Sequence, residues 1–63
     1  MMILTCKPKG TRFYLSSERL ATDDVTRGQW FKTKELAEQV AKEENRLPTW
    51  HRFGFHWIVE ELN

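Results

Sequence analysis

The residues that most constrain this chain are its last fourteen, Trp50 to Asn63. They hold two of the three tryptophans, two of the four phenylalanines and both histidines. Aromatic and β-branched residues at alternate positions, closed by Glu60 and Glu61, predict a β-strand. Alternation sorts its side chains into two sets, Phe53, Phe55, Trp57 and Val59 on one face and His56, Ile58, Glu60 and Leu62 on the other. So much apolar surface has to be covered, and the whole chain has only 63 residues. The first set is therefore expected to form the core beneath a helix. A domain of this size buries only about 60% of its unfolded surface, so its stability is marginal. Each buried Trp or Phe contributes roughly 2–3 kcal/mol, a large share of the ~5 kcal/mol available to so small a fold.

The length predicts one domain, residues 1–63. Cys6 is the only cysteine, which excludes an intrachain disulfide and a cysteine-based zinc cluster. The opening Met1-Met2-Ile3-Leu4-Thr5-Cys6 is too short an apolar run for a signal peptide or a membrane span. A reducing, cytoplasmic setting is expected, with no membrane partner. Net charge is only +1 but unevenly spread. Residues 1–34 carry seven Lys/Arg against three Asp/Glu, and residues 35–63 carry three against six. That is a polarised surface, less basic overall than nonspecific DNA binders usually are.

Met2 to Cys6 predicts a first strand, Lys7-Pro8-Lys9-Gly10 a turn, and Thr11 to Leu15 a second strand of a hairpin. Phe13 and Leu15 would then face one way, Arg12 and Tyr14 the other. Ser16 to Gly28 is a polar connection in which Leu20 and Val25 are expected to tuck back, with Thr22-Asp23-Asp24 capping a short turn. Gln29 to Phe31 predicts a brief strand. Thr33 to about Arg46 is the clearest helix: Thr33 is a good N-cap, Glu35 suits the first turn, and Glu38 and Lys42 are an i,i+4 pair. Its apolar stripe is read as Leu36, Ala37, Val40 and Ala41, extended by Leu47. Pro48 stops it. Thr49 to Phe53 is expected to be a link, and Gly54 a bulge or a close approach of backbones.

The residue types for catalysis are present without the patterns. Ser16, Ser17, Cys6, His51 and His56 are not set in a nucleophile-elbow motif, and Gly10, Gly28 and Gly54 do not have phosphate-loop spacing. Cys6, in a strand, is read as a buried thiol. His51 and His56, five apart, would fall on opposite faces of a strand and lack a further ligand set. A His56–Glu60 hydrogen bond is the most they suggest. Asp23-Asp24 lacks the remaining acids of a calcium loop. No catalytic residue, metal or cofactor is assigned, and a non-enzymatic protein is expected.

Two surfaces remain as binding candidates. Lys7, Lys9 and Arg12 with Tyr14 join basic groups to an aromatic on one sheet face, the way single-stranded nucleic acid is often held. Trp50, His51 and Arg52, approaching the last strand, and His56 and Ile58 on its outer face, would suit a protein partner, since Trp and Arg are enriched in hot spots.

Phe13-Tyr14-Leu15, then Trp30-Phe31-Lys32-Thr33 and Glu35-Leu36-Ala37-Glu38, resemble small phage and prophage accessory proteins. In these a hairpin leads to an F-x-T-x-x-x-A helix start, matched here by Phe31, Thr33 and Ala37, and a strand follows. The likeness spans residues 11–44 and carries packing roles rather than site residues. The chain also looks somewhat like the arm-type DNA-binding domains of phage integrases, but with a strong strand after the helix that those usually lack. The resemblance implies a small effector or regulator encoded by a mobile element. The expected fold is α+β, a small antiparallel sheet with one helix on one face in the order β-β-α-β. The expected function is binding and modulating a host or phage protein, with a second copy able to cover the open sheet face. The alternative is a small nucleic-acid-binding regulator.

Overall fold

The computed structural model describes residues 1–62. The fold is α+β: a five-stranded antiparallel sheet and one main helix. Strands β1 (Met2–Cys6), β2 (Phe13–Leu15), β3 (Ala21–Thr22) and β4 (Trp30–Phe31) precede helix α1 (Lys34–Asn45), short helix α2 (Pro48–Arg52) and strand β5 (Ile58–Glu61). The expected β-β-α-β order is thus present with two further two-residue strands and a second short helix.

β1 is the centre. Its residues Met2 to Thr5 pair with Glu61 to Ile58 of β5 on one edge. The other edge is shared end to end: β4 pairs with Met2 and Ile3, and β2 with Thr5 and Cys6. β3 extends the sheet beyond β2. Strand alternation then dictates the layers. Met2, Leu4 and Cys6, with Phe13, Leu15, Phe31 and Val59, lie on the face that packs against α1. Ile3, Thr5, Tyr14, Trp30, Ile58 and Glu60 point the other way. Ile3, although on the second face, is fully buried. Its Cδ1 fills the space left by the missing side chain of Gly28, whose segment bridges to Ser16.

α1 starts where Thr33 Oγ1 accepts the Leu36 N–H at 3.3 Å. It meets the sheet through Ala37 and Ala41, which let the backbones approach closely, with Val40 beside them and Glu44 one turn on. Leu36 is 51% exposed and so does not lead the stripe. At about 100° per residue it sits a quarter-turn from the Ala37–Ala41–Glu44 line. Leu47 is exposed as well and precedes α2 rather than extending the core. Pro48 both ends α1 and occupies the first turn of α2, where its missing N–H costs nothing. The link expected at 49–53 is therefore mostly helical.

The long C-terminal strand is shorter than its alternation suggests. Trp50 O accepts the N–H groups of both Phe53 and Phe55, at 3.2 and 2.8 Å, and Gly54 takes a φ of +75°. This closed turn throws Phe53 outward, 63% exposed, instead of into the core. Gly54 supplies a left-handed turn in open space, neither a bulge nor a close approach. Leu20, expected to tuck back, is exposed in the Ser16–Leu20 turn between β2 and β3, and Val25 is half-buried. The capped turn expected after Thr22 is present: Asp24 accepts the Thr26 N–H at 3.0 Å and its hydroxyl at 2.7 Å. Those bonds, helped by Arg27, hold the Asp24 carboxyl below the usual carboxylate range.

Candidate binding surfaces

Trp50, Phe55 and Trp57 form one aromatic cluster with Phe13. Ring centroids are 5.3 Å apart for Phe13–Phe55, 5.6 Å for Trp50–Phe55, 5.2 Å for Trp50–Trp57 and 5.9 Å for Phe55–Trp57. Trp50 is thus half-buried in the core margin rather than raised from a loop. Its indole N–H donates to Glu44 Oε1 at 3.0 Å. Glu44, only 2% exposed, also lies 3.4 Å from Arg19 Nε. Neither the burial of Glu44 nor its role was visible in the sequence, where it is one of several acids along a helix. Its distance of six residues from a tryptophan is the only signal.

The histidines are apart in role as well as in sequence. His51 Nε2 donates to the Asn45 carbonyl oxygen at 2.6 Å, while His56 is exposed. Glu60 bonds not to His56 but to Arg12, whose Nη1 donates to both its oxygens at 3.0 and 3.2 Å. Arg12 immediately precedes β2 and Glu60 is in β5, so this pair spans β1. Among the described residues no group of three His, Cys, Asp or Glu is placed to hold a metal ion. Cys6 is buried, and desolvation pushes its thiol up to about 11, which leaves it a poor nucleophile at neutral pH. No described helix is long and apolar enough to cross a membrane.

Two surfaces emerge. The sheet face away from α1 has a buried floor of Ile3 and Thr5. Around it stand half-buried Tyr14, Trp30 at 38% exposure and Ile58 at 54%. Register places Tyr14, Thr5 and Ile58 in one row and Trp30, Ile3 and Glu60 in the next. An open cleft of about 370 Å³ lies between α1 and β5, lined by Lys34, Glu38, Lys42, Asn45, Trp57 and Ile58 among others.

The second surface is one end of the molecule. Because β1 is antiparallel to both β2 and β5, the turn after Cys6 and the segment leading into Ile58 emerge side by side. The Phe13–Phe55 contact joins them. Both segments lack acids: residues 1–17 carry Lys7, Lys9 and Arg12, and residues 45–59 carry Arg46 and Arg52, with no Asp or Glu in either. Half of the Lys and Arg residues thus fall in these two stretches, and every acid falls outside them. The register and the Phe13–Phe55 contact put the turn that carries Lys7 and Lys9 at the same end of the sheet as the segment that leads from Arg52 into β5. Tyr14 lies instead on the sheet face, its Cβ close to Gly28.

No protein-family model, curated protein or solved structure matches this chain.

Proposed function

We propose that the chain is a non-enzymatic binding module, a small phage or prophage accessory protein that binds and modulates a host or phage protein in the host cytoplasm. The observation that supports this best is the apolar rim on the sheet face away from α1, whose centre is closed by the Gly28 segment. Ile58 and Trp30 stand exposed on opposite edges of β1. On this face the edge strand β5 presents the exposed Ile58 beside Glu60. The Arg12–Glu60 pair beside it supplies a polar margin, the pattern of an apolar patch with a charged rim. The likeness to phage accessory proteins, carried by Phe31, Thr33 and Ala37, gives the biological setting.

The test is capture of a partner from host or phage-infected cells, compared between the parent protein and two variants. Ile58→Asp should lose the partner. Leu36→Asp, an equally exposed leucine on α1, should retain it. A partner kept by both variants would remove the sheet face from consideration. Light scattering on the same samples shows whether that partner is a second copy.

A further inference from the structure

We propose that the acid-free end of the molecule binds single-stranded nucleic acid, with Lys7, Lys9 and Arg52 on phosphates and Phe53 stacked on a base. This site is separate from the sheet face assigned to a protein partner, and it changes the residues that the sequence suggested for nucleic acid.

Overall the chain is nearly neutral, so a nonspecific attraction to polyanions has to come from segregation. The pairing of β1 with β2 and β5 supplies it by bringing two acid-free segments to one end. Lys7, Lys9 and Arg52 are all exposed and have no ion-pair partner among the described residues. Nearby acids are otherwise engaged: Glu44 is buried against Trp50 and Arg19, and Glu60 holds Arg12. Glu43, on the last turn of α1, and Glu18, beside Arg19, are exposed. Arg12 is accordingly left out of the site.

The second observation is Phe53. A domain short of core would be expected to bury every aromatic ring it has, yet this one stands outward beside Arg52. It is not on a loose loop. Trp50 O fixes the turn by accepting from both Phe53 and Phe55, and the Gly54 N–H donates to His51 O at 3.1 Å. The backbone that carries the ring is therefore fixed before any ligand arrives, which lowers the cost of ordering it on binding. Around it is space: a side chain at Gly54 or at Gly10 would meet nothing. An exposed ring on a fixed turn, next to the unpaired Arg52 and at the end of the sheet that carries Lys7 and Lys9, is the arrangement that stacks a base and tracks a backbone. Duplex DNA offers phosphates but no free base face, so the ring favours single strands.

The probe is a short fluorescent oligothymidylate, titrated with the intact chain at several salt concentrations and followed by anisotropy. Three phosphate contacts should give a slope of log K against log salt of about −2. Phe53→Ala should weaken binding about tenfold without changing that slope, since stacking is not ionic. A Lys7→Glu/Arg52→Glu double variant should abolish binding at moderate salt. Lys34→Glu makes the same kind of charge change at the far end of α1, about 16 Å away along the helix, and should leave binding within about twofold. Circular dichroism checks that each variant is folded, and Phe53→Ser replaces Phe53→Ala should the latter aggregate. Three results would overturn the proposal: no binding at low salt, equal affinity for an oligothymidylate and a polyglutamate, or an unchanged affinity in the Phe53 variants.

Discussion

The side-chain amide of Asn45 is bonded to both backbone groups of Trp57: Oδ1 accepts the Trp57 N–H and Nδ2 donates to the Trp57 carbonyl oxygen, each at 2.8 Å. The last residue of α1 thereby acts as a short piece of strand, pairing with the chain just before β5 begins. It fixes where Trp57 enters the core, and Trp57 is the largest fully buried side chain. Asn45→Ala leaves two half-buried backbone groups without partners, which should cost about 2–3 kcal/mol. Asn45→Asp keeps the acceptor and loses the donor, so about half of that loss is expected. Urea titration followed by tryptophan fluorescence gives both values. Equal losses would mean that the bond to the Trp57 N–H contributes little.

The buried carboxylate of Glu44 links three elements: α1, the turn carrying Arg19, and α2 through Trp50. Its two partners differ in worth. The indole N–H is in the core margin, whereas the Arg19 side chain is 70% exposed, where an ion pair contributes ~0–1 kcal/mol. Glu44→Gln retains an acceptor for Trp50 and should cost about 1 kcal/mol or less. Glu44→Ala removes it, leaves a void, and should cost about 2–3 kcal/mol. Thermal unfolding of the two variants beside Arg19→Ala separates the contributions. A Glu44→Gln variant as unstable as Glu44→Ala would assign the role to charge.

What the sequence made legible was local. The hairpin of β1 and β2, the brief strand at Trp30-Phe31 and the helix capped by Thr33 each rest on a period and a turn residue within a few positions. The start of β5 was not legible, because Phe53, Phe55 and Trp57 keep a two-residue alternation straight through the Trp50–Phe55 turn. Period alone cannot distinguish a strand from a turn that spaces its aromatics alike. Leu36 was misplaced because α1 is centred on small residues, so its largest side chain is at the rim. The joining of Lys7-Lys9 with Arg52 depends on β5 lying beside β1, a pairing between residues more than fifty positions apart. That information is not in either segment.

Gly28 and Ile3 offer a direct test of how the second sheet face is closed. Gly28 has an ordinary φ of −66°, so its backbone does not require glycine. Space does: a Cβ there would overlap Ile3 Cδ1 and come within 3.2 Å of Tyr14 Cβ. Gly28→Ala should destabilise by about 1–3 kcal/mol through overpacking. In an Ile3→Val background the offending methyl is gone, and the same change should cost clearly less. The coupling between the two, read from a double-mutant cycle by urea unfolding, should be favourable and about 1 kcal/mol. Strict additivity would show that the collision is with Tyr14 or the Val25 carbonyl instead.

Cys6 sets a pH dependence whose direction can be worked out. Burial raises its thiol from the ordinary 9.0 to about 11. In the unfolded chain the thiol loses its proton near pH 9, whereas the folded protein holds it until about 11. Over that window the folded state binds more protons, so stability falls as pH rises, and it is fully present below pH 9. The thiol contributes a loss of at most about 2–3 kcal/mol across the window. Tyrosine and lysines titrate in the same range, so the comparison is with Cys6→Ala. That variant should be less stable near neutrality from lost packing, but its stability should decline less steeply between pH 9 and 11. Urea midpoints measured at half-unit steps give the two slopes. Parallel slopes would show that the thiol is no harder to ionise in the folded protein than in the unfolded chain. Slow reaction of native Cys6 with a thiol reagent at neutral pH, accelerating only on unfolding, is the matching expectation for a buried group of this kind.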